Sequence, residues 1–117
     1  MSSRDWHLRI YDILSAIQSI QTLTENLSFE DFASDEILVK AVLYDFIVMG
    51  EASANVPASV QAQYSNIPWR SMKDMRNIAT HEYFQVDLPT VWRTIKKSLP
   101  PLVQPLIDLS IDLSESQ

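Results

Sequence analysis

The chain is 117 residues long, 46% hydrophobic and 21% charged, with one glycine, six prolines, no cysteine and a formal net charge of −6. That suits one ordinary domain with a real core, excludes collagen-like and low-complexity architectures, and argues against overall disorder. The lack of cysteine excludes a disulfide framework, thiol catalysis and thiolate zinc sites. With a polar start and no apolar run near the roughly 18 residues of a membrane span, the expectation is a cytoplasmic protein, one domain over residues 1–117.

Ile10, Ile13, Ile17 and Ile20, with Leu14 beside them, recur at helical spacing and predict an amphipathic helix from about Asp5 to Leu23. Thr24 to Asn26 breaks the pattern, and Ser28 followed by Asp31 reads as an N-cap for a short connector pinned by Phe29 and Phe32. Asp35 to about Ala54 is apolar on most sides and is expected to be the most buried helix. Within it, Gly50 predicts a close helix contact and Glu51 an interfacial ion-pair partner. Val60 to Tyr64 predicts one or two helical turns, and Pro68 opens a helix that reaches about His81. Asp87 caps a further helix from Leu88 whose Trp92, Ile95 and Leu99 face inward. Pro100 and Pro101 interrupt it, Leu102 to about Leu113 forms the last helix, and 114–117 is expected to fray. The fold class is therefore all-α, an up-and-down bundle of four to five helices.

Charge is unevenly spread along this chain. Six of the nine basic residues lie between Arg70 and Lys97 against three acidic ones, so the rest of the chain is strongly acidic. Such asymmetry points to an anion meeting the second half, or simply to a solvated helix face. On the 68–81 helix, Met72, Met75, Ile78 and Ala79 share one side. Arg70, Lys73, Asn77 and His81 form a polar stripe opposite, with Arg76, Thr80 and, if the helix persists, Tyr83 along its other edge. Arg70 and Lys73 are candidate RNA-binding cations on that stripe. Arg76 and His81 are five apart, about 140° round a regular helix. Either one phosphate lies across the face, or a second chain completes the site.

An Arg and a His together suit cleavage of an RNA phosphodiester without a metal. His can take the 2′-OH proton or protonate the leaving oxygen, while Arg forks onto phosphate oxygens and stabilises added charge. From residue types alone, a helix-end His balanced by the helix dipole and a solvated Arg are the simpler account of the pattern.

Ile67-Pro68-Trp69-Arg70, Met75-Arg76-Asn77-Ile78-Ala79-Thr80-His81-Glu82-Tyr83-Phe84, Val86-Asp87, Val91-Trp92 and upstream Gly50-Glu51-Ala52 together resemble the HepT-like branch of the HEPN superfamily. The likeness runs from about Asp12 to Leu106. It implies a helical homodimer and a metal-independent endoribonuclease, the toxin of a pair whose antitoxin is an MNT-type nucleotidyltransferase. It further implies Arg76 and His81 as the catalytic pair, Asn77 as the supporting polar residue, and Tyr83 as the tyrosine that the antitoxin adenylylates. The sequence departs from the family at Glu82, where a small residue is usual; a carboxylate there opposes an RNA phosphate. The alternative is therefore an inactive helical dimer that serves as a binding scaffold for a nucleotidyltransferase or a nucleotide.

Other chemistry finds little support. His81-Glu82 opens like a zinc-protease motif, but Gln85 occupies the position of the second His and His7 is the only other imidazole. No metal and no cofactor is expected. With Gly50 alone there is no Gly-rich phosphate loop, and the serines lack a nucleophile elbow. Trp6, Trp69 and Trp92 are expected as core or interface anchors.

Overall fold

The computed structural model describes residues 3–85 and 87–115, with side chains for 5–80 and 87–113. Four long helices carry the fold among the described residues: α1 (Ser3–Thr24), α3 (Glu36–Ala54), α5 (Trp69–Gln85) and α7 (Pro100–Glu115). Three short ones, α2 (Phe29–Ala33), α4 (Ala58–Gln63) and α6 (Leu88–Arg93), occupy the connections, and a π-helical turn at Thr94–Ser98 joins α6 to α7. There is no strand among these residues, so the all-α expectation holds.

Local chemistry sets most of the boundaries. The α1 helix gives way at Asn26, which adopts φ 62°, a left-handed conformation that asparagine tolerates. The N-terminus of α2 is a full capping box: the Ser28 hydroxyl accepts from the Asp31 N–H, and the Asp31 carboxylate accepts from the Ser28 N–H, each at 3.1 Å. Asp35 caps α3 through the Leu38 N–H at 3.0 Å, and Asp87 caps α6 through the Thr90 N–H. The Pro68 carbonyl accepts from Met72 to start α5, while the Trp69 indole N–H is held by the Tyr64 carbonyl at 3.0 Å.

Ile10, Ile13, Ile17 and Ile20 of α1, Val42, Phe46 and Met49 of α3, Met72 and Met75 of α5, and Leu106 and Leu109 of α7 form one continuous core. The α3 helix lies centrally, packing on α1 along one side and α5 along another. Trp6 and Trp69 are buried, and Trp92 is half-buried against Phe29 and Phe32. Buried hydroxyls are satisfied within their own helices, with Thr24 donating to the Ile20 carbonyl and Ser53 to that of Met49.

The α3 helix also leaves a bare stripe, with Ile37 82% exposed, Tyr44 66% and Ile47 38%. Three expectations need correction. The α5 helix continues to Gln85 rather than ending near His81, since residues 82–85 include no Gly or Pro to stop it. The prolines do not simply break the chain. Lacking N–H groups, Pro100 and Pro101 cannot donate to the carbonyls of Lys96 and Lys97; the Leu99 N–H donates to the Thr94 carbonyl in a π turn, and α7 starts at Pro100. Finally, α7 runs to Glu115, so the backbone of 114 and 115 is helical where fraying was expected.

Candidate functional site

The polar face predicted on α5 is described as far as Thr80. Met72, Met75 and Ala79 are buried and Ile78 half-buried, which turns Arg70, Arg76, Asn77 and Thr80 outward and leaves Lys73 half-buried at the edge. Lys73, Arg76, Asn77 and Thr80 are neighbours at helical spacings of three and four. The Thr80 hydroxyl donates to the Arg76 carbonyl at 2.9 Å.

Arg76 is fixed from the opposite helix by two adjacent residues. A Cβ built on Gly50 would lie 2.6 Å from the Arg76 Cβ and 2.8 Å from its backbone nitrogen. The two helices can therefore cross this closely only because position 50 has no side chain. One residue on, the Glu51 carboxylate accepts a hydrogen bond from the Arg76 guanidinium, forming an ion pair with both side chains about half exposed. An exposed pair contributes roughly 0.2–1 kcal/mol, so it aims the guanidinium more than it stabilises the fold. Glu51 is thus the ion-pair partner anticipated for it, but its partner 25 residues away was not legible. The signal available in the sequence was its adjacency to a lone helical glycine.

His81, Glu82 and Tyr83 lie on the last turns of α5 by backbone, and their side chains lie outside the described residues. Because the helix is continuous, positions 76 and 81 stand about 140° apart round its axis and about 7.5 Å along it. As far as Thr80, the last α5 residue whose side chain is described, Arg70, Arg76, Asn77 and Thr80 are exposed. Two surface clefts, one of about 340 Å³ between the end of α1 and the π turn and one of about 770 Å³ at the α2–α3 elbow, contain no α5 residue. Among the described residues no group of three or more His, Cys, Asp or Glu side chains could hold a metal, and no helix is long and apolar enough to cross a membrane.

The pairing of cations is uneven. Arg9 pairs with Asp12, Lys40 with Glu36 and Arg76 with Glu51. Arg70, Lys73, Arg93, Lys96 and Lys97 have no carboxylate partner among the described residues, so Arg76 alone of the basic residues between 70 and 97 is paired there.

Comparison with known proteins gives a consistent picture. Residues 13–109 match the family model described as Ribonuclease HepT-like. A protein of Thermococcus cleftensis named "Probable ribonuclease HepT" is 40% identical over 91 residues, covering 78% of this chain and 83% of its own. "Putative RNase MJ0125" of Methanocaldococcus jannaschii is 33% identical over 115 residues, 98% of this chain and 99% of its own. "Putative RNase TTE0752" of Caldanaerobacter subterraneus is 34% identical over 90 residues, 77% and 80% of the two chains. No solved structure matches the chain significantly.

Proposed function

The chain belongs to the Ribonuclease HepT-like family, and from that premise we propose that it is a metal-independent endoribonuclease, the cytoplasmic toxin of a toxin–antitoxin pair. The observation that carries the reading is the placement of Arg76. It is locked at the α3–α5 crossing by Gly50, aimed by Glu51, and flanked by Lys73 and Asn77 on an exposed face.

In the proposed reaction a histidine takes the 2′-OH proton, that oxygen attacks phosphorus, and the bond to the 5′ oxygen breaks as an acid protonates it. The products are a 2′,3′-cyclic phosphate and a 5′-OH. His81 serves as base or acid, Arg76 stabilises the charge that builds on the phosphorane oxygens, Asn77 supports them, and Arg70 and Lys73 hold the strand. Acid–base chemistry of this kind draws on side chains alone.

A second copy of the chain completes the site in this reading. An open helix face does not enclose a phosphate, whereas two α5 faces across a dimer axis form a groove. The bare α3 stripe of Ile37, Tyr44 and Ile47 supports this, since it runs at helical spacing into Glu51, the partner of Arg76. An MNT-type nucleotidyltransferase would silence the site by placing AMP on the Tyr83 hydroxyl, adding a phosphodiester and an adenosine at the end of the same face.

The test is cleavage of RNA in excess EDTA. The wild type should cut and leave a 2′,3′-cyclic phosphate, Arg76→Ala and His81→Ala should each lose about 10²-fold or more while staying folded, and Tyr83→Phe should cut but accept no AMP. Cleavage that requires magnesium or survives His81→Ala would refute the mechanism. RNA binding without cleavage would favour the scaffold alternative, with Glu82 as its cause.

A further inference from the structure

The unpaired positive charge of this chain has two parts, and the α5 face uses only one of them. Arg93, Lys96 and Lys97 stand on the α6–π-turn segment, three and four residues apart and all exposed, in a chain of net charge −6. Arg9 and Lys40 each have a carboxylate partner, and these three have none among the described residues. Their support is rigid. Val91, Thr94 and Ile95 are buried beneath them, Trp92 packs on Phe29 and Phe32, and the Lys96 ammonium sits 4.5 Å from the centre of the Trp92 ring. The π turn carries Lys96 and Lys97, directly after Arg93 at the end of α6.

The ridge follows directly on the His81 end of α5, separated from Gln85 by the short connection that Asp87 caps, and α6 packs against α5. From Leu88 to Lys97 the segment spans about 15 Å. On its α1 side the segment borders a cleft that Lys96 itself lines together with Gln18, Gln21 and Glu25, whereas Arg93 and Lys97 stand outside that lining.

Resting on the ribonuclease reading above, we propose that Arg93, Lys96 and Lys97 form a second RNA-contact ridge, which binds backbone phosphates of single-stranded substrate beyond the nucleotides at the cleavage site. Three unpaired cations fit a polyanion with regularly spaced charges, and binding there raises substrate affinity without touching the reacting phosphate. The ridge therefore contributes to KM on long RNA and leaves the chemical step alone.

The experiment measures binding of a fluorescently labelled, mixed-sequence single-stranded RNA of 20 nucleotides in EDTA, by anisotropy across a salt series, in the His81→Ala background so that the RNA stays intact. Arg93→Gln/Lys97→Gln removes two exposed charges that have no carboxylate partner among the described residues; circular dichroism should show the helical content unchanged. Affinity should fall on the order of 10-fold at low salt, and the dependence of log affinity on log salt should flatten by about 1.4, the value for two phosphates on a single strand. Arg93→Lys/Lys97→Arg should bind like the parent. In the background with His81 intact, the Gln pair should raise KM for the 20-mer with kcat unchanged, and leave cleavage of a trinucleotide unaffected. Unchanged affinity and salt dependence in the Gln pair would overturn the proposal and leave the ridge to an acidic protein surface. The binding arm reads the ridge whether or not the chain cleaves RNA, so failure of the ridge and failure of the nuclease are told apart.

Discussion

Asp45 shows how much one half-buried carboxyl can reveal. It lies on α3, which packs on α1, and burial raises its pKa above the ordinary 3.8 while a hydrogen bond with Ser19 works in the opposite direction. Between 3.8 and the raised value, the folded chain holds a proton that the unfolded chain has released. Stability therefore falls as pH rises through that window, and below it the group contributes nothing. Asp45→Asn, neutral at every pH and able to keep a hydrogen bond to Ser19, should melt at or above the wild-type temperature at pH 7, and the gap should close as pH falls towards 3.8. A clearly lower Tm at pH 7 would mean that the charged hydrogen bond outweighs burial. None of this was legible in the sequence, where Asp45 is one charge inside an apolar helix. Nor was the pairing of Arg76 with Glu51, because nothing local joins residues 25 apart. What could be read at this scale was residue type: the Arg, Asn and cations of the α5 face, and Gly50 as a point of close approach.

At the scale of elements, the α3–α5 crossing decides where the candidate site stands, and Gly50 decides the crossing. Gly50→Ala would gain about 1 kcal/mol of helix propensity. Against this stands a new Cβ 2.8 Å from a backbone nitrogen of α5, an obstacle that cannot swing aside as a side-chain tip would. Overpacking of this kind costs about 1–3 kcal/mol, occasionally more. The variant should lose stability on balance, and α5 should shift away with Arg76. Thermal unfolding should show a lowered Tm, and RNA cleavage well below that Tm should fall by more than the unfolded fraction explains. An unchanged Tm with full activity would show that the crossing tolerates a wider spacing. The elements most legible in the sequence were those set by short-range chemistry: the Ser28–Asp31 box, and the Asp35 and Asp87 caps that act three residues away. The ends of α5 and α7 and the π turn were less so. A helix without a breaker ends where tertiary packing ends it, and a proline pair removes two donors without specifying how the preceding carbonyls adjust.

For the whole molecule, the all-α bundle followed from composition and periodicity, but the sequence did not say which side of the central helix stays bare. A helix apolar on most sides gives little periodic signal to name that side, and the answer, Ile37, Tyr44 and Ile47, emerged only once α1 and α5 had taken their places. That bare stripe, with an open α5 face beside it, leads to a prediction about assembly. If the groove lies across a dimer axis, each copy contributes an Arg76 and a His81. Arg76→Ala and His81→Ala homodimers then lack one residue type altogether, and each should be reduced by about 10²-fold or more. Co-expression of the two variants yields mixed dimers in which one chain brings an intact His81 and the other an intact Arg76. If the site is shared, these dimers hold one of each in the same groove, and cleavage should rise about 10-fold or more above either variant alone. The gain should stay short of wild type, because only one histidine is then available for the acid and base roles. If the pair acts within one chain, no mixed dimer contains a complete pair, and the co-expressed sample should be no more active than its parts. Light scattering on the same samples supplies the control: a dimer mass with no gain in activity rejects the shared groove, and a monomer mass rejects the assembly itself.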